Sequence, residues 1–337
     1  NRRFSLMKTR FSGPRAGALA LAAGLLLTAS SVAAAPTRVV RRGTPAKAIA
    51  PSAAAVSYSV EVPVVTRIVG TALFRTALDI SNNTSAGTAV APVVVRFQYS
   101  YNRVVDGVTS FFRTPIQTIN LLAFDNFHTD DFVQYLGTLP GVLQPGAETS
   151  SFGTLLVTFE NLPSSQGWEG TVFARTYSPN PTGAGTVAIA YPGSLFFESA
   201  NSTLVATIRD TQLAPTVAGA LRTNVGVRNT DIRGTGMNVT VLLEFYDVTS
   251  GSPTNGQRVG TVVTVADLQP GEVRQINNVR AVASIPNNVT AMLVFADVAG
   301  ATASTPTIEG YVNILDGGTQ DGAFFEMKCA DTDGCGN

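Results

Sequence analysis

Histidine and cysteine are nearly missing from this chain: one histidine, His128, and two cysteines, Cys329 and Cys335, occur in 337 residues. Any Ser-His-Asp or Cys-His arrangement must therefore use His128. A tetrahedral zinc site has too few thiols and imidazoles to draw on. Charge is scarce as well. Asp, Glu, Lys and Arg make up 14% of the residues, against about a quarter in an average globular chain. Lysine occurs only at Lys8, Lys47 and Lys328, and tryptophan only at Trp168. No apolar run reaches the roughly 20 residues that a membrane-spanning helix needs. What is abundant is apolar, 45% of the chain, enough for folded cores.

The formal net charge of zero conceals a division. Residues 1–50 carry nine basic groups and no acidic one, and residues 51–337 carry 14 basic and 23 acidic groups, a net of 14 − 23 = −9. A surface of that sign has no means of gathering phosphates, so nucleic acid is excluded as a partner. Arg2, Arg3, Lys8, Arg10 and Arg15 precede an apolar run at residues 16–27, and Ser31-Val32-Ala33-Ala34-Ala35 follows it with small residues. That order reads as a secretory signal peptide over residues 1–34, cleaved after Ala34. The mature chain is then expected to be secreted or held at the cell surface, with no transmembrane segment. Residues 35–55 spread Pro36, Pro45 and Pro51 among Ala, Arg and Ser without a period, and read as a disordered linker.

From Val56 the apolar period is two. In Phe74-Arg75-Thr76-Ala77-Leu78-Asp79-Ile80, Phe74, Leu78 and Ile80 share one face with Thr76 while Arg75 and Asp79 take the other, as a half-buried strand requires. Residues 93–99, 154–159, 171–177 and 187–191 read the same way. The pattern then returns. Leu221-Arg222-Thr223-Asn224-Val225-Gly226-Val227-Arg228-Asn229 aligns with the segment from Phe74 to Asn82, 221 − 74 = 147 positions on. Residues 239–243, 291–295 and 308–314 follow in the order of 93–97, 154–159 and 172–177. The fold class expected is all-β: two tandem β-sandwich domains of immunoglobulin-like type, residues 56–203 and 204–326, with a tail at 327–337. One helix is expected over residues 130–136, capped by Thr129 and ended by Gly137.

Phe74-Arg75-Thr76, Leu221-Arg222-Thr223-Asn224, and Tyr311-Val312-Asn313-Ile314-Leu315-Asp316 followed by Thr319-Gln320-Asp321 resemble β-sandwich repeats in secreted proteins of acidobacteria and similar environmental bacteria. The resemblance covers most of residues 60–326. It implies the fold and secretion, and it supplies no catalytic residue.

His128 lies in Asp125-Asn126-Phe127-His128-Thr129-Asp130-Asp131, where a carboxylate can orient its ring. No Gly-x-Ser-x-Gly elbow supplies a nucleophile, and a surface histidine beside a helix cap accounts for it. Asp125, Asp130 and Asp131 offer clustered oxygens of the kind calcium takes, but their spacing differs from an EF-hand loop. Capping explains Asp130 and Asp131, so no metal is expected. Glycoside hydrolysis needs two carboxylates held across a cleft; Glu160, Glu169, Glu198, Glu244 and Glu309 are available for it. Trp168, beside Glu169 in a glycine-flanked loop, is the candidate for ligand contact, because a loop tryptophan can stack on a sugar ring or anchor a protein. Its alternative is to fold back over the end of the sandwich. In an oxidising compartment Cys329 and Cys335 are expected to close one small disulfide loop.

No cofactor is expected. Export, duplication and the missing catalytic set together read as a non-enzymatic structural or adhesion protein, whose partners are other copies of itself or cell-surface components. Assembly is expected by β-strand addition, with residues 56–65 as the participating edge. A carbohydrate-binding module that takes glycans through Trp168 is the second reading, and a glycoside hydrolase the third.

Overall fold

Val, Ile, Thr and aromatic residues crowd the chain after Val56, and branched or ringed side chains pack best on a pleated surface. The structure, a computed structural model, describes residues 38–40 and 56–336 apart from 71, 85–91, 106–107, 163–168, 181–183, 194–198, 212–219, 231–235, 303–304, 318, 320 and 331–334. It is all-β, with several antiparallel sheets and two short helices. Among the described residues no helix is long and apolar enough to cross a membrane. The signal peptide expected at residues 1–34 lies outside the described residues.

The first half comprises β1 (Arg38–Val40), β2 (Val56–Val69), β3 (Leu73–Asn82), β4 (Val93–Val105), β5 (Val108–Arg113), β6 (Gln117–Leu121), β7 (Asn126–Thr129), α1 (Phe132–Gly137), β8 (Ser150–Leu162), β9 (Gly170–Pro179) and β10 (Thr186–Pro192). Its strands form one 10-stranded sheet along the path β1-β7-β3-β2-β8-β4-β5, with β9 on β3, β10 on β9 and β6 on β4. The inward positions of this sheet close on a single core that includes Val62, Leu78, Ile80, Phe97, Leu155 and Phe159. Phe132, Val133 and Leu136 of α1 are buried in the same core.

The second half comprises β11 (Ser199–Ala200), β12 (Thr203–Arg209), β13 (Leu221–Asn229), β14 (Val239–Asp247), β15 (Arg258–Leu268), β16 (Val273–Ile276), α2 (Val279–Val282), β17 (Ala291–Val298), β18 (Ile308–Asp316), β19 (Gly322–Glu326), β20 (Lys328–Cys329) and β21 (Cys335–Gly336). One sheet runs β16-β13-β18-β11-β21 with β19 on β18, and the other runs β15-β14-β17-β12-β20. Strict alternation along β14 puts Val239, Val241, Leu243 and Phe245 inside, where they meet Val225, Val227 and Val312 of the facing sheet. The tail touches both layers, β20 pairing with β12 and β21 with β11. Cys329 is disulfide-bonded, and Cys335 is the only other cysteine in the chain.

The halves correspond ladder by ladder. β7 and α1 begin 147 positions before β16 and α2 (273 − 126 and 279 − 132). Asp79 of β3 faces His128 on one side and Phe173 on the other, as Gly226 of β13 faces Gln275 and Tyr311.

Two local expectations shift. Arg38–Val40, inside the stretch read as a linker, forms β1 and pairs with β7. The rest of that stretch lies outside the described residues. The cap of α1 is Asp131, not Thr129: its extended backbone lets Oδ1 accept from the Gln134 N–H at 3.1 Å. Thr129 is committed to β7 with a buried side chain. Residues 56–65 belong to β2, paired with β8 on one side. On its other side the end of β2, Arg67–Val69, pairs with β3, and the Glu61 side chain touches Arg228 of the second half.

Candidate functional site: one sheet face, buried in one half and open in the other

Alternation along β3 turns Thr76, Leu78, Ile80 and Asn82 inward and leaves Arg75, Asp79 and Ser81 on the outer side. Neighbouring strands extend that face, with Asn126 and His128 on β7 and Phe173, Arg175 and Tyr177 on β9. His128 Nδ1 lies 2.8 Å from Asp79 Oδ1, and Nε2 lies 3.3 Å from Asp130 Oδ1. Burial lowers the pKa of the imidazole, but the hydrogen bond to Asp79 and the charges of Asp79 and Asp130 outweigh it, so the pKa is raised above its ordinary value. Ser81 Oγ donates to Asn126 Oδ1 at 2.8 Å. The Arg75 and Arg175 guanidiniums lie 4.8 and 5.2 Å from the centre of the Tyr177 ring, a favourable placement for a cation on an aromatic face. Beside these polar groups Phe173 is 45% exposed.

The same face in the second half is covered by the first half. Arg228, at the place of Ser81, touches Glu61 of β2 and lies 3.2 Å from Glu309. Burial lowers the pKa of Arg228 more than Glu309 restores it, and burial likewise raises Glu309 against the pull of Arg228. Asn313 Nδ2 donates to the Tyr191 hydroxyl at 3.0 Å, and Asn102 Nδ2 donates to the Val273 carbonyl at 2.8 Å. Arg113 donates to the Pro270 carbonyl. Tyr311 is 3% exposed and lies against Gly226, where an added Cβ would sit 2.1 Å from the ring. The glycine is what allows the ring to lie on the strand. Asp79 holds that place in the first half, and Phe173 stays in water.

The residues singled out from the sequence are scattered rather than gathered. Asp125 accepts from the Leu122 N–H at 2.8 Å and holds a turn; Asp131 caps α1 and lies 2.7 Å from Arg67 Nε; Asp130 serves His128. Each carboxylate thus has its own task, and among the described residues no group of three His, Cys, Asp or Glu is placed to hold a metal. Glu169 is buried just before β9, and Trp168 lies outside the described residues, as does Glu198. Glu160 lies 3.1 Å from Arg96, and Glu244 accepts from Arg258 and Tyr246, both at 2.9 Å.

Sequence reasoning missed Glu61, Arg228 and Tyr191. The signal for the covered face was present in the 147-residue offset: outward Asp79 and Ser81 become Gly226 and Arg228. An outward glycine opposite a tyrosine marks a strand on which something lies flat. No protein-family model matches the chain, and no curated protein matches it.

Proposed function

We propose that this is a secreted or cell-surface protein without catalytic activity, built of two tandem immunoglobulin-like β-sandwiches, that acts in adhesion or as a structural subunit of an extracellular filament. β1 lying on β7 is the observation that carries the reading. Residues just beyond the expected cleavage site add a strand to an otherwise open sheet edge, pairing Arg38 with His128, Val39 with Phe127 and Val40 with Asn126. Strand addition of this kind uses only main-chain groups, so a neighbour's arm fits the edge as well as the chain's own. The scarcity of histidine and the separate engagement of the candidate carboxylates favour contact over catalysis.

Expression with the leader in a bacterial host tests the reading. The exported chain is expected to begin at Ala35 by mass spectrometry and to form polymers visible by electron microscopy. Removal of residues 35–42 is expected to reduce them. An exported chain that stays monomeric at every concentration, or one retained in the cytoplasm, overturns it.

A further inference from the structure

The open copy of the face retains the apolar character of the buried copy. Phe173 stands where Tyr311 stands and is exposed. The turn after β6 carries Leu122 and Phe124, 46% and 49% exposed. Its counterpart after β15, residues 269–271, is the turn that Arg113 holds through the Pro270 carbonyl. Phe124 has φ +61°, the left-handed region that Gly271 enters at +75°. Glycine is at ease there and a bulky ring is not. Backbone strain therefore coincides with two large exposed side chains, at the turn whose counterpart makes the contact between halves.

The second half carries the matching surface. In the first half, Glu61 on β2, Arg113 on β5 and Tyr191 on β10 receive the covered face. The ladders place Val205 on β12, Arg258 on β15 and Phe325 on β19 at the same positions. The Arg258 side chain is 54% exposed and Phe325 is 48% exposed. The tail widens this surface by one strand, β20 beside β12.

We infer that copies of this chain stack head to tail, the β12-β17-β14-β15 surface of one docking on the β3-β7-β9 face of the next, as the two halves pack within one molecule. The inference rests on the proposed structural role and names its partner, a second copy. Phe173, Leu122 and Phe124 supply aromatic and aliphatic anchors of the kind that dominate protein contacts. Arg258 reaches the carbonyl of Ala123 as Arg113 reaches that of Pro270. Because the two surfaces differ, the contact is heterologous and propagates into an open filament unless its rotation closes a ring.

Cross-linking tests the register. Ser81 and Val205 are the counterparts of Arg228 and Glu61, which touch. Under oxidising conditions a mixture of Ser81→Cys and Val205→Cys exported proteins is expected to give a disulfide-linked dimer, neither alone to do so, and the double variant to give a ladder. Phe173→Asp is expected to reduce the sedimenting species to monomer with an unchanged melting temperature, since Phe173 is exposed. A dimer from Ser81→Cys alone places the face on a two-fold axis and overturns the stack. Polymers that persist in Phe173→Asp without the cross-link, yet vanish when residues 35–42 are removed, overturn the stack and leave strand addition standing. A chain that stays monomeric overturns both.

Discussion

Asn82 and Asn229, 147 positions apart, perform the same task in the two halves. The Asn82 side-chain amide donates to the carbonyls of Leu121 and Leu122 at 3.0 and 2.9 Å. That of Asn229 donates to Met237 and Leu268, both at 3.0 Å. The backbone N–H of each donates to the carbonyl of an acidic residue, Asp125 or Glu272, whose own carboxylate accepts from the N–H of Leu122 or Gln269. Both asparagines are buried, so removing either amide strands carbonyls out of reach of water. Asn82→Ala and Asn229→Ala are each expected to destabilise the chain by about 2–3 kcal/mol, read from urea denaturation. A change below about 0.5 kcal/mol, the scale of ordinary surface substitutions, would show that the loops relax to satisfy the carbonyls in another way.

Arg228 is held between Glu61 and Glu309 where the halves meet. Arg228→Met leaves two largely buried carboxylates without their shared cation, which is expected to cost about 3–5 kcal/mol at neutral pH. The sign of the pH dependence follows from Glu309. Its folded pKa is raised, so it binds protons more tightly folded than unfolded, and stability falls as pH rises above the unfolded carboxylate value. Lowering the pH toward 5 is therefore expected to restore part of the melting temperature of the variant. Replacing all three groups with apolar residues is expected to come close to the parent, and a triple variant no better than Arg228→Met would refute this account of the loss.

His128 should titrate above the ordinary histidine value of about 6.5, because Asp79 and Asp130 hold its proton. An NMR titration of the ring protons measures it, and Asp79→Asn is expected to move the midpoint down. Stability follows the same sign. The contribution is present in full below the unfolded pKa and lost as pH rises through the higher folded one. All three side chains are about two-fifths exposed, so solvent and salt screen the effect and it should shrink in high salt. A midpoint unmoved by Asp79→Asn would remove Asp79 as its cause.

The tail disulfide closes a short loop while β20 and β21 sit on different sheets. For so small a loop the chain-entropy account gives about 2 kcal/mol. Melting in the presence of a reductant is expected to show that loss, and Cys329→Ser to reproduce it. An unchanged melting temperature would mean that the strand pairing of the tail holds without the covalent link.

The strands and the duplication were legible because both are local patterns. Alternation in β3 or β14 relates a residue only to its neighbours two positions away, and a repeat requires only that the pattern recur. α1 was legible to within two residues, its cap misplaced because Thr129 and Asp131 are both good capping residues and only the reach of β7 decides between them. Arg228 was not legible. Gly226 beside it marks the strand as one on which something lies flat, but nothing near Arg228 in the chain points to Glu61, 167 positions earlier (228 − 61).

By itself the sequence determined an all-β chain with a repeated unit, an acidic body and little means of histidine or zinc chemistry, because composition and period are properties of short stretches. The tertiary structure decided which copy of the repeated face is covered. β3 and β13 carry the same alternation, and whether water or another sheet lies over their outer side depends on what the rest of the chain brings there. Tyr311, lying on Gly226, and Arg228 meet the first half, and Asp79 and Phe173 are left open, since what covers a face is a relation between distant segments.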